Sequence, residues 1–281
     1  MYNLLKKKLE NFNIKGTFII GREGINASFS IIYDQDEKVK NIIKKLFPCE
    51  VIIKSQENNF HPFLRLKIKL KKEIISLGEK NINPAKNRGK YLDPHSWEKF
   101  ITKKDSVIID TRNSYESEIG TFESSLKVNT KNFREFPKWI KKNKDKIKDK
   151  KIGMFCTGGI RCEKASNYLI KLGFKNIFQL NGGILEYLKI TKNRNQFWKG
   201  ECFVFDERVS VNSKLEKGRY SQCFACRSAI TDKERTSKFF KIGEYCPKCF
   251  KIKTLKQKKR YKERQKQMVI AKQKGIKHLG N

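Results

Sequence analysis

The segment 154–166, MFCTGGIRCEKAS, places two cysteines, two glycines and an arginine within seven residues. The adjacent glycines Gly158 and Gly159 let the backbone curl, so that successive N–H groups point toward one centre. A helix that begins after them would add the partial positive charge of its N-terminus. A thiol at that centre, Cys156, is expected to have a lowered pKa and to be a thiolate near neutral pH.

This pattern predicts a reactive loop in which Cys156 is the nucleophile and the permanent charge of Arg161 stabilises the anion. A buried strand cysteine followed by an ordinary turn is the alternative, but the glycine pair, the arginine and the helix start together favour the reactive loop. Cys162 has two open roles, packing as the first helical residue or closing a disulfide with Cys156, and we favour packing. The amides expected to line the loop belong to Thr157, Gly158, Gly159 and Ile160.

Four later cysteines have the spacing of metal ligands. Cys223 and Cys226 form one Cys-x-x-Cys pair, and Cys246 and Cys249 form a second after nineteen intervening residues. Each pair fits a knuckle turn, and four thiolates satisfy tetrahedral Zn²⁺. Because no ligand position is left to water, we predict a structural zinc site. Four reduced loop cysteines, or a single iron with the same ligands, are the alternatives.

Alternating strands and helices in residues 91–200 are expected to position the reactive loop. SVIID, KIGMFC and KNIFQL are continuous apolar segments, typical of buried strands in a parallel sheet that is covered on both faces. CEKASNYLIKLGF is an amphipathic helix closed by Gly173, and Asp93 with Pro94 marks the start of an earlier helix. The loop therefore lies where a buried strand meets a helix N-terminus.

The remaining segments predict a multidomain chain with both α/β and α+β parts. Residues 1–80 follow a helix–strand–strand–helix–strand order, which favours a ferredoxin-like α+β domain. That architecture normally begins with a strand, so either its first strand is missing or its sheet is one strand short. The polar residues 81–90 are predicted to be a linker, residues 201–250 a small zinc-bearing segment, and residues 251–281 a basic tail.

Charge indicates a polyanionic partner. The formal net charge is +35, from 64 Lys plus Arg against 29 Asp plus Glu. A lysine-biased genome explains part of this excess, but it explains the lysine clusters less well. The tail 251–281 has twelve basic residues and one acid, which predicts a basic helix that tracks phosphates; a solvated, partly disordered tail is the alternative.

Hydropathy indicates a cytoplasmic protein. No run approaches the roughly eighteen apolar residues that a bilayer span needs, and the N-terminus lacks the pattern of a secretory signal. The chain also has no evident nucleotide-cofactor fingerprint. Its three histidines lie far apart in the sequence, which disfavours an iron site with two histidines and one carboxylate.

Cys-x-x-Gly-x-Arg at 156–161 resembles the active-site loop of rhodanese-domain sulfurtransferases. The upstream segment VIIDTRNSYESEIGTF is similar to the rhodanese strand that ends in Asp-x-Arg and is followed by Tyr-Glu and a glycine. Four residues separate Cys156 from Arg161, whereas the similar loops of cysteine phosphatases have five. The resemblance therefore implies a rhodanese-like parallel-sheet domain whose cysteine carries a sulfane sulfur.

Further segments narrow the resemblance to the bacterial rhodanese-domain tRNA uridine hydroxylases, from Gly16 to about Phe250. Family members usually have a strand before the first helix, which this chain lacks. The segments that carry the similarity are KGTFIIGREGINASFS, PFLRLKIKLKKEIISLG, GKYLDPHSWEKFI, FREFPKW, FCTGGIRCEKAS, QLNGGILEYL and FWKGECFVFDERVSV.

This resemblance implies a monooxygenase-type oxidoreductase that uses molecular oxygen to convert the wobble uridine of tRNA into 5-hydroxyuridine. Cys156 matches the family's essential cysteine, and the electron donor stays unknown. Persulfide transfer by Cys156, and RNA binding without catalysis, are the competing hypotheses.

Phe133 or Phe136 could stack a base of the bound RNA, although each is more often a core residue. The candidates for contact with RNA are Arg22, Asn26, Arg134 and Arg208.

Overall fold

The computed structural model describes residues 1–47, 51–194 and 197–275. Within these ranges the α-helices are α1 (Tyr2–Leu9), α2 (Asp36–Leu46), α3 (Pro94–Ile101), α4 (Ser114–Ser117), α5 (Phe136–Ile147), α6 (Ile160–Lys171), α7 (Gly183–Thr191), α8 (Asp232–Arg235) and α9 (Leu255–Gln273). The strands are β1 (Ile14–Gly21), β2 (Gly24–Ile31), β3 (Leu66–Leu70), β4 (Lys90–Leu92), β5 (Ser106–Asp110), β6 (Gly120–Phe122), β7 (Leu126–Lys127), β8 (Lys151–Phe155), β9 (Ile177–Leu180), β10 (Trp198–Gly200), β11 (Cys202–Phe203), β12 (Ser210–Val211), β13 (Ser221–Gln222) and β14 (Ala229–Ile230). The chain divides into two compact units, Met1–Ile75 with α9, and Ser76–Ile252.

The first unit has the predicted α+β order. Its sheet runs β2-β1-β3, with β1 antiparallel to β2 and parallel to β3, so this sheet is mixed. Every second residue of β1 is buried, as the period of a strand requires. Leu5 and Leu9 of α1 and Val39 and Ile43 of α2 pack in the same core, each pair being one helical turn apart. In the described residues this sheet has three strands, and α1 begins at Tyr2.

Helix α9 confirms that the basic tail contains a helix. The Thr254 hydroxyl accepts a hydrogen bond from the Gln257 amide at 3.2 Å, and the Gln257 side chain accepts one from the Thr254 amide at 3.1 Å. Tyr261 is buried, and the guanidinium groups of Arg260 and Arg264 lie 5.5 and 5.3 Å from its ring centre. Both arginines therefore make cation–π contacts with the Tyr261 ring. Residues 276–281 of the predicted tail lie outside the described part of the chain.

A five-stranded parallel sheet organises the second unit. Its order is β4-β9-β8-β5-β7, so β8, the strand that leads to Cys156, lies at the centre. Trp97 and Phe100 of α3 pack in one buried cluster with Leu188 of α7. A side chain at Gly153 would put its Cβ 2.6 Å from Phe100, so only glycine permits this close packing on β8. The predicted rhodanese-like parallel sheet is confirmed.

Local sequence signals begin and end the helices of this unit as predicted. The Asp93 carboxylate accepts hydrogen bonds from the His95 and Ser96 amides at 2.9 and 3.1 Å, which caps α3. Gly173 has φ +91°, and it lies two residues beyond the end of α6. Segment 81–90, predicted as a linker, is held on α6 by the Asn167 side chain, which donates to the Asn83 carbonyl at 3.1 Å.

Candidate functional site

Cys156 lies immediately after β8 and is 1% exposed. The Gly159 amide donates a hydrogen bond to its sulfur at 3.1 Å. Gly159 precedes α6 with φ +100°, a conformation that disfavours any residue with a side chain. Strand, loop and helix N-terminus therefore surround one sulfur atom as the sequence predicted.

The N-terminus of α7 holds the loop from the opposite side. Its Ile184 and Leu185 amides donate to the carbonyls of Cys156 and Thr157 at 3.0 and 3.1 Å. Gly183 has φ +68°, and a Cβ there would lie 2.4 Å from the Cys156 carbonyl oxygen. This close approach requires glycine and explains why the NGG turn before α7 positions the reactive loop.

The surroundings of Cys156 lower its pKa. Burial alone raises the pKa, but the Cys162 thiol, the Arg161 charge and the amides of Arg161 and Cys162 together lower it to about 6. Among the four residues whose amides were expected to line the loop, Gly159 donates directly to the sulfur. The amide contributions of Arg161 and Cys162 were not anticipated. A thiolate therefore predominates at neutral pH, and thiolates are the nucleophilic form of cysteine.

Arg161 is only 5% exposed and forms a bidentate ion pair with Glu116. Its Nη1 and Nη2 donate to the two Glu116 carboxylate oxygens at 2.7 and 2.6 Å. Glu116 is fully buried at the start of α4, where its Oε1 also accepts the Asn113 amide at 3.1 Å. Arg161 is thus a fixed cation beside the sulfur, and the acid that fixes it was missed from the sequence.

Cys162 occupies the first turn of α6 and is fully buried. Burial raises the pKa of its thiol well above the ordinary value, and the neighbouring Cys156 raises it further. Its sulfur lies 3.7 Å from the Thr111 hydroxyl. Cys162 therefore packs in the core as a neutral thiol beside the reactive loop.

A second buried ion pair supports the end of β5. Arg112 and Asp110 are both fully buried, and the Arg112 Nη2 donates to Asp110 at 2.6 Å and to the Gly120 carbonyl at 2.6 Å. The Arg112 guanidinium also lies 5.3 Å from the Trp198 ring centre. This Asp-x-Arg pair fixes the strand beside β8 from within the core.

Two family models match the chain in succession. The UPF0176 acylphosphatase-like domain matches residues 1–74, and the rhodanese-like domain matches residues 93–190. Together they match the domain architecture of the UPF0176 family. The rhodanese-like match contains the whole Cys156 loop, so the loop is of the rhodanese type by sequence.

Solved structures resemble the rhodanese-like part of this chain. The rhodanese-like domain of the Anabaena protein Alr3790 is 17% identical, covering 39% of this chain and 78% of that chain, with a TM-score of 0.33. Bacillus anthracis CoADR-RHD is 20% identical over 38% of this chain and 18% of its own, with a TM-score of 0.32. A Thermoplasma volcanium rhodanese-related protein is 24% identical over 36% of this chain and 92% of its own, with a TM-score of 0.28.

The four later cysteines form one cluster that could hold a metal ion. All four sulfur atoms lie within 4.8 Å of one another. Cys226 and Cys246 are 3.7 Å apart, and Cys223 and Cys249 are 3.9 Å apart. Tetrahedral zinc with Zn–S bonds of about 2.3 Å places sulfur atoms about 3.8 Å apart, so this donor set fits zinc.

The structure places the candidate RNA contacts in both units. Arg22 is exposed in the turn between β1 and β2, and Asn26 in β2 donates to the Ile74 carbonyl at 3.3 Å. Arg134 is exposed just before α5, whereas the Arg208 Nη2 is paired with Asp206 at 2.7 Å.

Phe133 and Phe136, the suggested stacking residues, are 6% and 0% exposed. They belong to the core, so that part of the hypothesis is wrong. In the part of the chain that the structure describes, no helix is both long and apolar enough to cross a membrane.

Proposed function

We propose that this chain hydroxylates the wobble uridine of tRNA to 5-hydroxyuridine. One atom of O₂ enters at C5 of uracil, and the other leaves as water with two electrons from a separate reductant. Cys156 is the catalytic sulfur, and the Cys162 thiol, the Arg161 charge and the backbone amides of the loop keep it anionic. The observation that carries the proposal is a buried sulfur with a lowered pKa inside this loop, in a chain with the UPF0176 and rhodanese-like architecture.

Charge supports tRNA as the partner. The net charge of +35 favours a polyanion, and α9 carries cations with Glu263 as its only acid. The proposal places the enzyme in the cytoplasm, where tRNA is found. It also assigns a structural Zn²⁺ to Cys223, Cys226, Cys246 and Cys249, where it would fix the fold of that segment and take no part in the oxidation.

Persulfide transfer is the second candidate function, and the loop geometry itself favours it. The Gly159 amide and the Arg161 charge would stabilise a terminal sulfur on Cys156 as well as they stabilise the thiolate. In that reaction Cys156 takes a sulfane sulfur from a donor and passes it to an acceptor nucleophile. The two functions require the same sulfur but leave different products on tRNA.

Nucleoside mass spectrometry of tRNA from a strain that lacks the gene separates these functions. We expect wobble nucleosides derived from 5-hydroxyuridine to be missing, and to return with the wild-type gene but not with Cys156→Ser. Unchanged hydroxylation with altered thiolated nucleosides would establish the sulfurtransferase instead. Full restoration by Cys156→Ser would refute both chemistries and leave an RNA-binding protein.

A further inference from the structure

Phe205 is a large apolar side chain that is 58% exposed beside the reactive loop. It lies between β11 and β12, and the Arg161 guanidinium carbon is 6.0 Å from its ring centre. Arg161 is the residue whose charge acts on the Cys156 sulfur. The exposed ring of Phe205 therefore lies next to the cation that acts on the reactive sulfur.

A side-chain brace fixes the loop that carries Phe205. The Asp206 carboxylate accepts hydrogen bonds from the Arg208 amide and Nε at 3.0 Å each, and from its Nη2 at 2.7 Å. The Asp206 and Arg208 side chains are only 5% and 15% exposed. The Arg208 guanidinium therefore helps to shape this loop, and its contact with RNA stays a prediction.

The backbone of the same loop is strained. Val209 has φ +65°, a left-handed conformation that is costly for a β-branched residue. Val209 is also 4% exposed, and its carbonyl accepts the Val204 amide at 3.0 Å, which closes the loop. A loop that is braced and strained in this way holds one conformation, so Phe205 is presented in a fixed place.

Two further aromatic rings support Phe205 from the protein side. Phe203 is buried, and its ring centre lies 5.3 Å from that of Phe205 at 71°. Tyr115 contacts Phe203 in the same edge-to-face manner at 5.2 Å and 75°. Tyr115 immediately precedes Glu116, the partner of Arg161. The three rings thus form a ladder from α4 to the exposed ring.

We propose that Phe205 is the surface on which the uracil ring of the substrate stacks when it meets Cys156. This inference rests on the proposed function, because it takes a uridine in RNA as the substrate. A base that leaves its helical stack is recognised by stacking on an aromatic side chain, since every base has a π face. Phe205 takes the place of Phe133 and Phe136, which are buried and unable to reach a base.

The test compares Phe205→Ala with Phe205→Trp and with a matched control, Phe239→Ala. Phe239 is also an exposed phenylalanine, 38% exposed, and lies in the segment after α8. Unmodified tRNA is the probe. We measure how far tRNA protects Cys156 from alkylation by iodoacetamide as the tRNA concentration rises. We also measure KM and kcat for nucleoside hydroxylation.

We expect Phe205→Ala to need roughly tenfold more tRNA for half protection and to have a correspondingly higher KM, because base–aromatic stacking contributes about this much. Phe205→Trp should restore both, and its added indole fluorescence should be quenched by tRNA. Phe239→Ala should match the wild type. An unchanged alkylation rate of free Phe205→Ala, measured against pH, shows that the loop around Cys156 is intact.

Two results would overturn the assignment of Phe205. One is Phe205→Ala with wild-type protection and KM; the other is Phe205→Trp as impaired as alanine. If wild-type tRNA protection is lost in Phe205→Ala but the wild type forms no hydroxylated nucleoside, the stacking surface stands and the proposed reaction fails. If the wild type hydroxylates tRNA and Phe205→Ala does so equally well, the reaction stands and the stacking surface fails.

Discussion

Cys156→Ser is expected to lower the rate of nucleoside hydroxylation by roughly 1,000-fold or more, because a serine hydroxyl does not ionise near neutral pH. Serine is close to cysteine in size, and the Cys156 and Thr157 carbonyls would still accept the α7 amides. The loop should therefore keep its shape while its nucleophile is lost. The measurement is the initial rate on unmodified tRNA, with the melting temperature of each variant as a check on folding.

Cys202→Ser is the matched control for this substitution. Cys202 is also fully buried, and burial raises the pKa of its thiol to about 12, so it stays neutral. Its replacement should leave the rate within about threefold of the wild type. A Cys156→Ser protein that is folded and keeps more than a tenth of the wild-type rate would refute the catalytic role of this sulfur.

Removal of the metal ligands should have the second large effect. Purified protein is expected to contain about one equivalent of zinc, and Cys223→Ser combined with Cys226→Ser should lose it. Apparent binding free energies of structural zinc are about 10–16 kcal/mol, more than β13, β14 and the short helix α8 can supply by packing. Metal analysis and limited trypsin digestion should show loss of zinc and new cleavage within residues 221–250.

The same Cys202→Ser protein controls for the loss of a buried cysteine outside the cluster. It should keep its zinc and its resistance to trypsin. Full zinc content in the Cys223→Ser and Cys226→Ser double variant would contradict the assignment of these four residues as ligands. If the protein contains iron in place of zinc, the assignment of the four ligands stands and the assignment of the metal is wrong.

Short-range patterns were enough to predict the elements around Cys156. The apolar run before it became β8, the glycines became the loop, and Gly173 ended α6, because strand periodicity, positive φ and capping depend on neighbouring residues. The two Cys-x-x-Cys pairs also met in one cluster. In each case the spacing of residues along the chain was enough to predict the local structure.

Contacts between distant residues were the part that the sequence did not provide. Glu116 lies forty-five positions before Arg161, and no local pattern joins them. Phe133 and Phe136 looked available for stacking, but tertiary packing buried them and left Phe205 exposed.

One missed contact did have a local signal. Asp206 and Arg208 repeat the Asp-x-Arg spacing of Asp110 and Arg112, and both arginines return a hydrogen bond to the aspartate two residues earlier. This repeated spacing could have predicted the ion pair between Arg208 and Asp206, whereas contact of Arg208 with RNA stays a prediction.

The acidity of the Cys156 sulfur is the central claim, and its alkylation rate against pH tests it most directly. The lowered folded-state pKa means that thiolate, and therefore reactivity with iodoacetamide, should rise as pH increases through about 6 and be nearly constant above pH 7. Mass spectrometry of the modified peptide assigns the reaction to Cys156, and Cys156→Ser should lack it. A midpoint near the ordinary thiol value of about 8.5 would contradict the account.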